Sequence, residues 1–483
     1  GARLMARSLV RNTILYLPAQ VLGPFVQFAV MIAWTHLLAP AAFGVVTFVI
    51  AAQELTALIG LVWWSLYILR FRQRYEGVDE TRFRAMDGRM ALYGSATQIV
   101  FAPLCLLAVG AVADPTTTIA AAAYLVTRLL VVHYSEWARS QHRIRAYTAA
   151  QFSGPILGSG LSVLAMLVFG ATPAVVFFTM ALGQAAGAAA VMSALGVRPQ
   201  VGLFDPAVFR EARRYGAPLI LSGLFGWAAI NGIRLLVEAG AGAVGLGLLS
   251  AGWGLGQRVA NFIAMICTAA AFPLAVDRIE AGDRKGALEQ VALNGTLMLA
   301  LLAPATVGVA VLAGPLVDLL IAADYRIVTT VVLPIATAAG AIRTYKTHTT
   351  DQAGLLLERT SALTVSNFAD ATLTLIGAAI GLAYGGIEGA AIGCLVGTVL
   401  AAIGGLVYAA RWLELPIDFA AGLRIVLAVC AMSASLVLTP APSGAVAIAA
   451  KILLGAFCYG AAILVLFPAL RRFVTVRLTA RFG

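Results

Sequence analysis

Runs of about twenty apolar residues follow one another along almost the whole chain, and they limit the folds that it can adopt. A helix of that length crosses the hydrocarbon core of a bilayer, because each residue adds about 1.5 Å along the helix axis. Charged residues are only 11% of the 483, whereas a soluble chain carries about a quarter. The sequence therefore predicts an all-α polytopic membrane protein.

We count fourteen such runs and number them as spans one to fourteen in chain order. The gaps after odd-numbered spans are nearly free of Lys and Arg, with Arg326 as the exception, while the other gaps hold most of the basic residues. By the positive-inside rule, the basic gaps and both termini are predicted to be cytoplasmic. The spans lie near residues 12–38, 43–69, 90–113, 117–138, 149–170, 173–196, 215–238, 244–272, 289–313, 328–348, 360–384, 388–410, 422–439 and 444–468.

The net charge of +11 follows from this topology pattern and does not indicate a nucleic-acid-binding surface. Basic residues beside the spans are attracted to the anionic head groups of the cytoplasmic leaflet. Membrane lipids are therefore expected partners, and no nucleic acid is expected to bind.

Motifs typical of soluble enzymes are missing from the sequence. There is no phosphate-binding G-x-x-x-x-G-K-[ST], no zinc-binding H-E-x-x-H and no nucleophile motif G-x-S-x-G, and no gap is long enough for a nucleotide domain. The five cysteines lie inside apolar runs without metal-ligand spacing, so we expect them to be packing residues. We predict that the chain is not an enzyme and holds no cofactor or metal.

Two short patterns recur about 200 residues apart, each in an equivalent place between spans. Residues 39–45 align with 240–246, and residues 74–79 align with 278–283 through a shared R-x-E-x-x-D. These matches predict a duplication of six spans. Because six is even, both copies have the same orientation in the membrane, and two such bundles enclose a central cavity.

The predicted organisation has four parts. Between the two copies, Asp205 is placed to cap a short amphipathic helix at the cytoplasmic membrane surface, and Pro206 is placed to begin it. Spans thirteen and fourteen lie outside the repeat and are two extra C-terminal helices. The parts are the N-lobe with spans one to six (1–198), the cytoplasmic interfacial linker helix (199–214), the C-lobe with spans seven to twelve (215–411), and spans thirteen and fourteen with a basic cytoplasmic tail (412–483).

Span seven carries a polar stripe. Trp227, Asn231, Arg234 and Glu238 share one helix face, and the other face is Ile, Leu and Ala. An arginine within a span is costly unless it faces protein or water, so the stripe indicates a pathway through the lobe. The alternative interpretation is an internal Arg234–Glu238 ion pair that only holds helices together.

Arginines outnumber acids inside the spans, and this excess predicts a bound anion. A guanidinium binds phosphate oxygens bidentately and keeps its charge when desolvated, which suits a pyrophosphate. The predicted pyrophosphate contacts are Arg234, Arg258 and Arg343, although the positive-inside rule alone explains positive charge near Arg343. The polar residues predicted to line the cavity are Gln20, Gln27, Trp227, Asn231 and Asn261.

Several segments resemble the polysaccharide transporter branch of the multidrug/oligosaccharidyl-lipid/polysaccharide (MOP) exporter superfamily, which includes Wzx-type flippases. The segments are Asn12-Thr, 37–44, 213–222, Arg234-Leu-Leu-Val and Val244-Gly. The resemblance implies two six-helix lobes around a cationic cavity that works by alternating access. It also implies cavity arginines on spans one, two, seven and eight. Arg234 and Arg258 match spans seven and eight, whereas spans one and two offer Gln20, Gln27 and Glu54.

The function that the resemblance implies is transfer of an undecaprenyl-pyrophosphate-linked oligosaccharide across a bacterial inner membrane, for exopolysaccharide or O-antigen synthesis. Glu54 and Asp370 are then the candidates for proton or cation coupling. One alternative is a cation-coupled multidrug exporter, which is less favoured because span one lacks the acid usual in that branch. The other is a non-transporting assembly factor that recruits a polysaccharide polymerase complex.

Overall fold

The computed structural model describes residues 22–75, 77, 80–111, 114–197, 202, 204–468 and 470–472. Within these residues the regular elements are all helical, as predicted. The α-helices are Pro40–Ala57, Trp63–Phe71, Glu80–Ala108, Pro115–Ser140, Ile144–Phe152, Ser159–Phe169, Pro173–Leu195, Pro206–Glu280, Arg284–Leu320, Ala323–Lys346, Gln352–Leu356, Thr360–Trp412, Phe419–Leu438 and Gly444–Leu466. The predicted cavity residue Gln20 lies outside the described residues.

The number of spans agrees with the sequence. Eleven helices in the described part of the chain are long and apolar enough to cross a membrane, and the apolar helix Leu22–Leu37 is shorter. Two of the eleven contain glycines with non-helical backbone angles, at Gly242 and at Gly385 and Gly386. Each of these two helices is therefore a pair of spans, which gives fourteen in total.

Glycine makes these two turns possible. Gly242 has φ 65° and Gly386 has φ 59°, backbone conformations that side chains with a Cβ rarely adopt. Each glycine lies in a gap predicted to be on the outer side, so the chain reverses there with almost no loop. Spans eleven and twelve form a tight hairpin, in which a Cβ at Gly381 would overlap the Gly389 carbonyl oxygen.

The helix that starts at Pro206 corrects the predicted separate linker helix over 199–214. Asp205 accepts hydrogen bonds from the backbone N–H groups of Ala207 and Val208, so the predicted cap and the first helical residue are confirmed. The helix then continues into span seven without a break before Gly242. Hydropathy changes near Tyr215, but a change from charged to apolar residues does not end a helix, and this one continues through Gly216 and Pro218.

Three short π-helical turns interrupt the spans, at Leu58–Val62, Ser153–Gly158 and Thr347–Asp351. A π turn adds a residue to the helical repeat, so it brings residues five apart toward one face. The first turn lies in span two and the third in span ten. Trp64 and Ser65 follow the first turn, and Lys346 and Asp351 lie at the two ends of the third; these side chains form the buried networks described below.

The chain divides into two compact units, Gly1–Ser250 and Ala251–Gly483. The division falls inside span eight, so span seven belongs to the first unit. An aromatic cluster with Trp64, Phe83 and Trp137 forms part of the core of the first unit. In the second unit, apolar clusters join span eight to spans nine and ten, and span nine to spans thirteen and fourteen. The predicted lobe boundaries at 198 and 411 stay predictions.

Spans two and seven pack closely along their length within the first unit. A Cβ at Gly223 would lie 2.6 Å from Leu58 Cδ2, and one at Gly216 would lie 2.7 Å from Trp63 Cε3. At the other end, a Cβ at Gly44 would overlap the Ala243 carbonyl oxygen, and one at Gly247 the Pro40 carbonyl oxygen. The two repeated turns, 39–45 and 240–246, therefore lie against each other. We call this contact the two–seven seam.

Candidate substrate-binding site

The polar stripe of span seven lies on the face that packs along span two. The indole Nε1 of Trp227 donates a hydrogen bond of 2.8 Å to the Ala51 carbonyl oxygen. Asn231, one turn further along, is only 4% exposed, and its side-chain oxygen accepts a hydrogen bond from Arg234 Nη1. Arg234 is half-buried. The structure thus brings three predicted site residues together in the first unit, with the guanidinium held by a neutral amide.

Glu54 lies beside this stripe. Ala51, Glu54 and Leu58 share one face of span two, because their spacing is i, i+3 and i+7. Ala51 contacts Trp227 of span seven, and a Cβ at Gly223 would meet Leu58. Glu54 is on the same face but is exposed. An exposed carboxylate at the edge of the two–seven seam fits the predicted coupling role, which stays a prediction.

Span one contributes Gln27, which is half-buried. Seven residues later on the same helix face, Trp34 Nε1 donates to Ser162 Oγ of span five at 2.9 Å. Gln27 therefore lies on the face of span one that faces span five.

The second unit places Arg258 and Asn261 on span eight. Arg258 is half-buried and Asn261 is exposed. The neighbouring Gln257 donates through Nε2 to the Ala336 carbonyl oxygen of span ten at 3.2 Å, which fixes the rotation of span eight. Sequence reasoning missed Gln257, because a glutamine on an apolar helix gives no direct sign of its partner.

Arg343 and Asp370 contact each other. Arg343 Nε lies 3.2 Å from Asp370 Oδ2, and Nη2 donates to Thr398 Oγ1 at 2.9 Å. Arg343 is 7% and Asp370 3% exposed. The sequence assigned the arginine to a pyrophosphate and the aspartate to coupling, whereas the structure joins them in a buried ion pair among spans ten, eleven and twelve. This geometry gives neither predicted role any support.

A second buried pair lies next to the first. Lys346 Nζ donates to Asp351 Oδ2 at 3.2 Å, and Ser366 Oγ donates to Asp351 Oδ1 at 3.0 Å. Lys346 and Asp351 are five residues apart, and the π turn over Thr347–Asp351 brings them together. Sequence reasoning missed this pair, because in a regular α-helix residues five apart point in different directions. In the described residues, no three His, Cys, Asp or Glu side chains form a metal cage.

The first unit holds a buried aspartate that sequence reasoning also missed. Asp87 accepts hydrogen bonds from the indole nitrogens of Trp64 and Trp137, both at 2.8 Å, and His133 Nε2 lies 3.0 Å away. The sequence places the start of span three near residue 90, because Arg82, Arg84 and Arg89 interrupt the apolar run before it. The helix itself starts at Glu80, so Asp87 is inside the unit and not in a loop.

A family model described as "Polysaccharide biosynthesis protein" matches residues 9–277, which is more than half of the chain. The chain belongs to this family. The match covers spans one to eight, including the polar stripe of span seven and Arg258. No match was found among curated protein sequences.

Solved structures show that this polysaccharide biosynthesis family protein has the fold of the MOP superfamily transporters. One similar structure is the lipid II flippase MurJ in an inward closed conformation, with TM-score 0.78, 12% identity, and coverage of 95% of this chain and 99% of that one. Another is an inward-facing multidrug resistance MATE family transporter of the MOP superfamily, with TM-score 0.61, 16% identity, and coverage of 81% and 94%. A third is a MOP superfamily transporter from Pyrococcus furiosus, with TM-score 0.56, 15% identity, and coverage of 84% and 95%.

Proposed function

We propose that this protein moves a lipid-linked oligosaccharide, carried on undecaprenyl pyrophosphate, across the bacterial inner membrane by alternating access. The observation that carries the proposal is membership of the polysaccharide biosynthesis family in a chain with the MOP transporter fold. The likeness to a lipid II flippase extends over 95% of the chain and supports a lipid-linked substrate. Exopolysaccharide and O-antigen repeat units are the substrates we consider.

Arg234 is the residue that we propose to bind the pyrophosphate in the first unit. Arg234 is half-buried, and its Nη1 donates a hydrogen bond to the side-chain oxygen of Asn231, a neutral amide. A guanidinium can donate two parallel hydrogen bonds to one phosphate and remains charged in a low-dielectric setting. Asn231 orients the guanidinium by holding Nη1. Arg258, half-buried on span eight, is the second proposed phosphate contact, with Asn261 beside it as a polar contact for sugar hydroxyls.

The test is translocation in proteoliposomes loaded with undecaprenyl-pyrophosphate-linked oligosaccharide that carries a fluorescent sugar. We expect Arg234→Gln to slow translocation by about tenfold to a hundredfold, because a hydrogen bond to a charged group contributes roughly 1.5–3 kcal/mol. Arg234→Lys should recover only part of the rate, since it cannot bind bidentately. Arg210→Gln, an exposed arginine at the start of the same helix, is the matched control.

Two results would contradict the proposal at different levels. Wild-type protein that leaves the labelled lipid in its original leaflet contradicts the transport function. Arg234→Gln that translocates at the wild-type rate contradicts only the site. Protease protection of the reconstituted protein establishes insertion and orientation before either result is interpreted.

A multidrug exporter is the second candidate, because the fold also matches MATE family transporters. Expression in a strain that lacks its own efflux pumps separates the two candidates. Energy-dependent efflux of a cationic dye would favour the exporter. Unchanged dye retention together with translocation of the labelled lipid would favour the flippase.

A further inference from the structure

An aspartate and a histidine are paired inside the first unit, apart from the proposed substrate site. Asp87 of span three is 3% exposed and His133 of span four is 1% exposed, and His133 Nε2 lies 3.0 Å from Asp87 Oδ1. We propose that the pair is a proton-binding site, in which His133 takes up the proton and Asp87 balances its charge. The proposal does not depend on what the protein transports.

Both side-chain oxygens of Asp87 accept hydrogen bonds from buried indole groups. Trp64 Nε1 donates to Oδ1 and Trp137 Nε1 donates to Oδ2, both at 2.8 Å. An indole N–H is a donor only, so both oxygens of Asp87 act as acceptors, as in a carboxylate. A buried carboxylate without a positive partner is strongly destabilising. The environment therefore favours a cation beside Asp87.

His133 is placed to be that cation. Although Nε2 and Oδ1 are 3.0 Å apart, the N–H is not directed at the oxygen well enough to form a hydrogen bond. A neutral imidazole would bring no charge to balance the Asp87 carboxylate, whichever ring nitrogen carries the hydrogen. A protonated imidazole keeps its attraction to Asp87, because the interaction between two charges depends on distance and not on the N–H angle.

Ser65 allows His133 to bind and release the proton without repacking. Its Oγ lies 2.7 Å from His133 Nδ1 and 3.2 Å from the Leu61 carbonyl oxygen. With His133 protonated, Nδ1–H donates to Oγ and the hydroxyl donates to Leu61. After loss of the Nδ1 proton, the hydroxyl rotates and donates to Nδ1. Rotation of one hydroxyl thus serves both states.

Other titratable or charged groups border the pair from the surrounding spans. Glu136 is the second carboxylate that acts electrostatically on His133, but it is paired with Arg139 at 3.0 Å, so Asp87 is the direct counterion. Arg84 lies over the Trp137 ring at 5.8 Å and not on the carboxylate. The titratable or charged groups in and around this aromatic cluster are Tyr67, Tyr75, Arg84, Tyr134, Glu136, Arg139, Tyr147 and Tyr215.

Proton binding would hold span two against spans three and four. Trp64 and Ser65 follow the π turn Leu58–Val62 on span two, and both bond to the Asp87–His133 pair. Loss of the proton leaves the Asp87 charge without a positive partner, which destabilises the buried arrangement that joins these three spans. Span two also carries Glu54 and one side of the two–seven seam, so the proton has a direct effect on a helix of the proposed transport machinery.

The experiment is nitrogen NMR of the full chain, labelled with ¹⁵N-histidine and held in nanodiscs. The chain contains four histidines, so the imidazole signals can be assigned by replacing His36, His142 and His348 with Gln in turn. This assignment does not need a His133 variant to fold. We expect the His133 nitrogens to change from imidazolium to imidazole shifts as the pH is raised.

Variants of the neighbours test the assigned roles. Ser65→Ala removes the acceptor for Nδ1–H, and we expect proton binding by His133 to weaken by roughly tenfold. His36→Gln, the matched control elsewhere in the first unit, should leave the His133 titration unchanged. A His133 signal that stays neutral at every pH would overturn the proposal, and so would a Ser65→Ala protein that titrates like wild type. Translocation at each pH is a separate measurement, so its failure does not affect this result.

Discussion

Buried charge in the second unit is neutralised by neighbouring side chains. Arg343 and Asp370 are a pair, with Thr398 as a further acceptor, and Lys346 and Asp351 are another. Buried ion pairs contribute little net stability, because desolvation offsets their attraction, yet removal of one partner leaves an isolated charge. These residues are therefore expected to behave as coupled pairs when substituted.

The Arg343–Asp370 pair gives a prediction for stability. Arg343→Met and Asp370→Leu, made singly, should each lower the free energy of unfolding by about 3–5 kcal/mol. The double variant should recover most of the loss, because no isolated charge remains. Thermal melting of the purified proteins in detergent measures the effect. Additive losses in the double variant would show that the two side chains do not act as a pair.

Asp114 gives a prediction for pH dependence. Its carboxylate caps the helix Pro115–Ser140, and hydrogen bonds from the Thr117 hydroxyl and the Thr116 backbone N–H hold its pKa below the ordinary value. Folding therefore gains from this carboxylate above its ordinary pKa, and the gain is lost as pH falls through the lowered value. The difference in melting temperature between wild type and Asp114→Ala should shrink under acid conditions. Asp114→Asn, which can cap but cannot lose a proton, should show no such trend.

Spacing in the sequence showed which residues of the polar stripe on span seven lie together, but it did not show the partners of the buried charged residues elsewhere. Trp227, Asn231 and Arg234 share a face because the helix is regular there, so spacing alone was sufficient. Asp87 was missed because the arginines on both sides of it make the segment look like a polar gap between spans. The contact between Lys346 and Asp351 depends on a π turn, which helical periodicity cannot reveal.

At the scale of elements, glycines determine how closely two helices approach. A Cβ at Gly247 would overlap the Pro40 carbonyl, and the neighbouring backbone cannot move aside as a flexible side chain can. We expect Gly247→Val to destabilise the protein by about 1–3 kcal/mol or more. Gly160→Val is the matched control, because a Cβ at Gly160 meets nothing within 4 Å. Equal melting temperatures for the two variants would contradict the close approach.

Hydropathy predicted the number and the approximate positions of the spans, because each needs about twenty apolar residues. It could not show that span seven begins as part of a helix starting at Pro206, since a change from charged to apolar residues does not break a helix. It also placed the gaps at 240–243 and 384–388 correctly, but the sharpness of both turns depends on the left-handed glycines Gly242 and Gly386.

For the molecule as a whole, the topology predicted from the basic residues can be tested by cysteine labelling. In a cysteine-free background, Ser443→Cys in the gap between spans thirteen and fourteen should react with an impermeant maleimide added to intact spheroplasts. Ala281→Cys, in the gap between spans eight and nine, should react only after permeabilisation. Reaction of both sites in intact spheroplasts would contradict the predicted orientation.

The internal repeat was visible in the sequence, but its consequence for packing was not. The alignment of 39–45 with 240–246 predicted equivalent turns in two lobes. The structure adds that these turns touch, and that the first compact unit extends to Ser250. Sequence similarity identifies equivalent positions and carries no information on whether the two copies contact each other.

The glycine contact between these turns also sets an order of events during synthesis. Gly44 leaves the ribosome about 200 residues before its neighbours Ala243 and Gly247. At about 5–20 residues per second, this delay lasts roughly 10–40 seconds. During that time span two is already in the bilayer while its packing partner has not yet been made. The newly inserted N-terminal helices must therefore stay in the membrane, unaggregated and partly exposed, until span seven arrives.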